Sequence, residues 1–174
     1  FLWLALASQQ GHRFAAAVVG FPVLVPAAVG LGRLVLVEPH GRMLLLYLLV
    51  LIAAADVGAY FGGRLLGRHK LAPRVSPGKT WEGFVAGMVA AAIAAAAGAM
   101  VFDVPLRPWL VLCVLVALVS VVGDLFESML KRRAGLKDSG NLLPGHGGIL
   151  DRIDSITAAS PTFLLGLYAL GVPA

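Results

Sequence analysis

Nine Asp and Glu residues occur in this 174-residue chain. Seven of them, Asp56, Glu82, Asp124, Glu127, Asp138, Asp151 and Asp154, fall in or beside two basic segments, 64–82 and 127–154. Asp124 and Glu127 stand three apart at the end of one apolar run, and Asp151 and Asp154 repeat that spacing ahead of another. Residues three apart share one face of a helix. Hard cations such as Mg²⁺ take a few carboxylate oxygens together with substrate phosphates and water, so two such pairs have the makings of a site for one or two ions. Taken alone, Asp151 also reads as a carboxylate stabilising the N-terminus of the helix that leads into the apolar run from Ile156.

Between the pairs lies Leu142-Leu143-Pro144-Gly145-His146-Gly147-Gly148, a turn whose backbone N–H groups can approach phosphate oxygens closely. His146 could bind a phosphate, move a proton, or only hydrogen-bond within its loop. The other segment carries Ser76-Pro77-Gly78-Lys79-Thr80-Trp81-Glu82. Its Gly-Lys-Thr looks like the end of a P-loop, but the upstream Gly is missing and no strand is expected before it, so that reading is rejected. Lys79 stays a candidate phosphate cation. Asp56 lies inside the apolar run Leu44 to Phe61, about two turns from its end. An unpaired carboxylate there costs at least ~2.5 kcal/mol, so it needs either a partner on a neighbouring helix or a polar cavity.

Membrane helices must position these groups. The chain is 59% hydrophobic and 13% charged, about half the charge of an ordinary soluble domain. A spanning helix takes roughly 20 apolar residues, and runs at about 14–37, 43–63, 83–102, 107–126 and 155–172 predict five spans plus a partial one at the N-terminus. The fold class is therefore all-α, a polytopic membrane bundle forming a single catalytic domain over 1–174. Phe1 replaces the usual Met within an apolar segment, which leads us to expect the C-terminal part of a longer chain. Gly and Pro punctuate the first run, which could kink or re-enter. Small residues through Ala86 to Ala99 let backbones approach closely, so that span is expected to pack on several sides. The single Cys113 lies in an apolar run, which excludes an internal disulfide and favours a packing role.

Two spans separate the basic segments, so both share a side. Arg64, Arg68, Lys70, Arg74 and Lys79 stand in one and Lys131, Arg132, Arg133, Lys137 and Arg152 in the other, with Arg13 on the same side and Arg33, Arg42 and Arg107 opposite. Positive residues favour the cytoplasmic side. Each cation could serve only topology or anionic headgroups.

Ser128-Met129-Leu130-Lys131-Arg132, Lys137-Asp138, Gly140, Leu143-Pro144, His146-Gly147-Gly148-Ile149 and Asp151-Arg152-Ile153-Asp154 together resemble the signature of phosphatidate cytidylyltransferases, without departure over its 27 positions. Asp56 to Tyr60, Ser76 to Gly83 and Gly123 to Ser128 resemble further segments of that family. The resemblance implies transfer of CMP from CTP to phosphatidic acid. A lipid phosphate oxygen would attack the α-phosphorus, and CDP-diacylglycerol and pyrophosphate would result. Asp124, Asp151 and Asp154 are expected to hold one or two Mg²⁺ ions, with a monovalent ion as a further candidate, and to act in catalysis with Lys131 and Arg132. Ser76, Lys79, Lys137, Asp138, His146, Gly147, Gly148 and Arg152 are expected at the substrates, and Asp56 and Glu127 in support. Expected partners are membrane lipids and a second copy in a homodimer, with no nucleic acid. The expected location is the bacterial inner membrane with the active site facing the cytoplasm.

Rival readings have less support. A CTP-dependent lipid kinase shares the substrate chemistry, and a CDP-alcohol phosphotransferase carries a different acidic motif that is absent. A transporter accounts for Asp56 and the broken helices, but not for a long polar loop dense in both charge signs. Cysteines introduced at Lys70 and Ser139 should both resist labelling from outside intact cells; labelling from opposite sides would overturn the span assignment.

Overall fold

The computed structural model describes residues 13–36, 40–133 and 150–171, with side chains described at Phe21, over 24–36, 40–132 and 154–171. Five helices and one hairpin follow in order: α1 (Arg13–Leu36), α2 (Gly41–Leu66), β1 (Lys70–Ala72), β2 (Ser76–Thr80), α3 (Trp81–Phe102), α4 (Leu106–Arg133) and α5 (Leu150–Ala169). Among the described residues, α2, α3 and α4 are long and apolar enough to cross a membrane. The other two expected runs are helical as α1 and α5, and α1 is one uninterrupted helix despite Pro22 and Pro26.

The outward faces are as apolar as the core. Val85, Val89 and Ile93 on α3, like Val111, Leu115 and Val122 on α4, are exposed at near-helical spacing. Such faces suit lipid, where apolar surface has no drive to be buried. Packing then depends on shape, and small residues allow close approach. On α3 the buried positions are Gly83, Gly87, Ala91, Ala95, Gly98 and Ala99. A Cβ on Gly58 of α2 would lie 2.6 Å from the Ala90 Cβ and 3.0 Å from the Ala86 carbonyl oxygen, and one on Gly87 would lie 2.8 Å from the Ala55 carbonyl oxygen. Helix α3 thus meets α2 along an all-small seam and α4 on a second side, with its third face outward.

At one end of the bundle Tyr47, Phe102, Trp109 and Phe163 pack ring against ring, with centroids 5.4–6.2 Å apart. Cys113 is buried beside them, its sulfur 3.3 Å from the Tyr47 hydroxyl, in the packing role expected of it. Helix α5 runs unbroken through Pro161, and α1 packs over that point. Gly30 comes close enough that a Cβ would lie 3.1 Å from the Pro161 nitrogen, and the Ser160 hydroxyl donates to the Ala27 carbonyl at 3.2 Å.

The structure corrects the all-helical expectation at 70–80, where an antiparallel hairpin replaces the expected loop. Pro73 suits the first corner of its turn, whose Val75 N–H donates to the Ala72 carbonyl at 3.1 Å. The strands are short and lack alternating polarity, so no periodicity marks them. The helices also outrun their apolar stretches. Helix α4 continues through 127–133, where Glu127 and Lys131 form an i,i+4 pair at 3.5 Å, and α5 begins at Leu150 rather than near 155.

The seam predicts unequal tolerance of glycine substitution. Gly58→Val should destabilise the folded protein by about 1–3 kcal/mol through overpacking. Gly32→Val, where a Cβ would meet nothing within 4 Å, should cost far less. Unfolding of both variants in detergent micelles compares them directly.

Candidate functional site

The end of the bundle opposite the aromatic cluster gathers the C-termini of α2 and α4, the N-termini of α3 and α5, and the hairpin. Strand β2 runs into α3 without an intervening residue. Thr80 caps the helix, its hydroxyl accepting from the Gly83 N–H at 3.1 Å, and Glu82 in the first turn complements the helix dipole. Glu82 also reaches back to His69, 2.6 Å from its Nδ1 and 3.2 Å from its backbone nitrogen, which ties the start of the hairpin to α3.

This anchoring sets Lys79 against α4. Its Nζ lies 2.5 Å from Asp124 Oδ2, while the Ser128 hydroxyl donates to Asp124 Oδ1 at 3.3 Å. Arg132, one turn beyond Ser128, donates through Nε to the Val75 carbonyl at 3.4 Å and ties the turn of the hairpin to the same helix. The two basic segments therefore meet at one end of the bundle.

A cavity of about 460 Å³ opens beside this contact. Ala55, Ala59, Gly63, Gly83 and Gly87 leave it room along the seam, and Asp56, Lys79, Tyr60 and Arg64 bring polar groups to it. Asp56 thus faces a cavity that also holds Lys79 and Arg64, ten residues before the end of α2, a distance of ~15 Å along the axis. Its carboxylate shares an electrostatic neighbourhood with Asp124, Lys79 and Asp154. Asp154 reaches this level because α4 and α5 touch there. A Cβ on Gly123 would lie 2.6 Å from the Ala158 Cβ and 3.5 Å from the Asp154 carbonyl oxygen. The Asp154 carboxylate accepts the Ser155 N–H at 2.6 Å.

Lys79, Asp124, Asp56 and Asp154 are thus brought into one neighbourhood. Glu127 and Lys131 are buried together on α4, and Ser76 opens β2 opposite Ala72 without lining the cavity. Asp151 and Arg152 lie in the first turn of α5, with side chains outside the described set. Lys137, Asp138, His146, Gly147 and Gly148 fall outside the described residues. No group of three His, Cys, Asp or Glu side chains able to hold a metal occurs among the described residues. The described carboxylates offer the oxygen donors a hard cation takes, and Asp124 is paired with the Lys79 ammonium.

Tyr60 and Arg64 were not singled out from sequence. Their signal was present, since Asp56, Tyr60 and Arg64 recur every fourth residue along one face of α2. The Arg64 guanidinium donates to the Tyr60 hydroxyl at 2.9 Å across that face.

Residues 1–170 match the model of the cytidylyltransferase family. The phosphatidate cytidylyltransferase of Haemophilus influenzae is 49% identical over 154 residues, 82% of this chain and 54% of that protein. Its namesake from Pseudomonas aeruginosa is 48% identical over 92% of this chain and 60% of its own length. That from Helicobacter pylori is 41% identical over 95% and 59%. The chain spans about half the length of the curated relatives it matches.

The Lys79–Asp124 pair is partly solvated, so its contribution should be modest. A double-mutant cycle of Lys79→Ala and Asp124→Asn, read by thermal unfolding, should give a coupling of about 0.5–1 kcal/mol that falls as salt is raised. Additive effects would show that the contact is not maintained in solution.

Proposed function

Since the chain belongs to the cytidylyltransferase family, we propose that it is a phosphatidate cytidylyltransferase, which transfers CMP from CTP to phosphatidic acid in phospholipid biosynthesis. The observation that carries this reading is the Lys79–Asp124 contact. It joins the 76–83 segment to the 123–128 segment, whose Ser128 also bonds Asp124 and opens the signature, beside a cavity set among membrane helices. A lipid phosphate and a water-soluble nucleotide can meet only near the membrane surface. The cytoplasmic side, with five spans in the inner membrane, is the arrangement that the basic segments support.

In the reaction, an oxygen of the phosphatidate phosphate bonds to the α-phosphorus of CTP. The bond from that phosphorus to the oxygen bridging to the β-phosphate breaks, and pyrophosphate leaves. Ionised phosphatidate is already nucleophilic, so the chain need not supply a dedicated base. Both reactants are anionic, and Lys79, Lys131, Arg132, Lys137 and Arg152 would neutralise their phosphates. Ser76, Asp138, His146, Gly147 and Gly148 would hold the substrates by hydrogen bonds. Asp124, Asp151 and Asp154 would hold one or two Mg²⁺ ions, with Asp56 and Glu127 in support. Bound divalent ions would stabilise charge on the attacking and leaving oxygens.

Purified protein given CTP and phosphatidic acid should release pyrophosphate and form CDP-diacylglycerol; its failure to do so would refute the activity. In variants that still purify folded, Asp124→Asn and Asp151→Asn should each lower turnover at least about 100-fold, more than loss of a supporting group costs. Near-normal rates with unaltered Mg²⁺ dependence in both would remove the metal role and leave the family membership standing.

A further inference from the structure

Residues 64–80 contain five cations, Arg64, Arg68, Lys70, Arg74 and Lys79, and no carboxylate. Lys79 is held by Asp124, and the next acid along the chain, Glu82, is held by His69. Arg64, Arg68, Lys70 and Arg74 are exposed, and none has a carboxylate partner among the described residues. The hairpin keeps these charges together: Lys70 opens β1, Arg74 stands in the turn, and Arg132 and Glu82 fix the turn and the start of the hairpin to helices.

Beside them the surface is apolar and aromatic. Tyr60, Phe61, Leu65, Leu66, Trp81 and Val85 are each more than half exposed, on the last turns of α2 and the first of α3. Tyr60 meets Phe61, and Trp81 meets Phe84, edge to face with centroids 5.4 and 5.8 Å apart. Trp and Tyr settle at the headgroup level of a bilayer, where cations attract anionic lipid at about 1 kcal/mol each. An aromatic collar below a rim of carboxylate-free cations has the order of a leaflet read outward, acyl chains and then phosphates.

We propose that the hairpin and this collar form a docking surface for the headgroups of anionic glycerophospholipids in the surrounding leaflet, separate from the Lys79–Asp124 contact and meeting the cavity at Arg64. Lipid held there raises the local density of anionic headgroups at the cavity mouth. The inference rests on the membrane embedding of α2 and α3, not on the chemistry proposed above.

Trp81 is its natural reporter, because Trp109 is fully buried and Trp3 can be replaced by Phe. In bilayers doped with lipids brominated on their acyl chains, a glycerol-headgroup anionic lipid should quench Trp81 with an association constant at least about fivefold that of the zwitterionic choline lipid, the effect of one engaged cation. The variant Arg68→Gln/Lys70→Gln/Arg74→Gln should lose this preference, whereas Arg42→Gln/Arg107→Gln at the opposite end should keep it. In the protein with its hairpin cations intact, the preference should shrink as salt is raised, a measurement independent of how the triple variant folds. Equal quenching by the two lipids, a preference that survives the triple substitution, or one indifferent to salt would overturn the proposal.

Discussion

The approach of α2 and α3 to backbone contact governs the arrangement of the polar groups. Between helices in lipid there is no water to expel, so association depends on how closely backbones can come. Gly58, Gly83 and Gly87 allow that approach, and a Cβ at any of them would be under 3.0 Å from the facing helix. The same residues that close the seam also leave a hollow at its polar end. Gly63, Gly83 and Gly87 line the cavity because they have no side chains to fill it, so Asp56 and Lys79 face open space rather than hydrocarbon.

Charge placement follows from that geometry. A carboxylate at the depth of Asp56 is tolerated where it faces a cavity or a partner, and here it has the cavity with Lys79 nearby. Asp124 has Lys79 and Ser128, and Glu127 and Lys131 are buried together within one turn. Burying two charges is costly even when they are paired, and removing one partner is costlier still. That dependence applies to the buried Glu127–Lys131 pair more than to the partly solvated Lys79–Asp124 contact, while at the other end Tyr47, Phe102, Trp109 and Phe163 hold the helices by packing.

The helices were legible in the sequence because each apolar run is close to the length a bilayer demands, and four of the five begin within two residues of the expected position. The fifth, α5, begins at Leu150, five residues before the apolar run, with Asp151 in the first turn where a carboxylate suits a helix N-terminus. Helix α4 likewise outruns its apolar run, through 127–133. The hairpin left no trace because Lys70-Leu71-Ala72 and Ser76 to Thr80 are too short and too mixed to show a period of two. Of the candidate site, Asp56, Lys79, Asp124 and Asp154 were readable as charges in apolar or basic surroundings. Tyr60 and Arg64 share one face of α2 with Asp56, but that spacing does not say what the face meets; the fold turns it to the cavity.

Strand β2 ends at Thr80 and α3 starts at Trp81, so Lys79 sits one residue before the cap and moves with the helix as a rigid extension of it. That junction cannot absorb a change in chain length. One residue added there would turn the lysine out of register with Asp124, whereas one added at the hairpin turn around Pro73 and Arg74 would leave the register intact. Variation in length along this stretch is thus permitted at the turn and barred at its seat on α3.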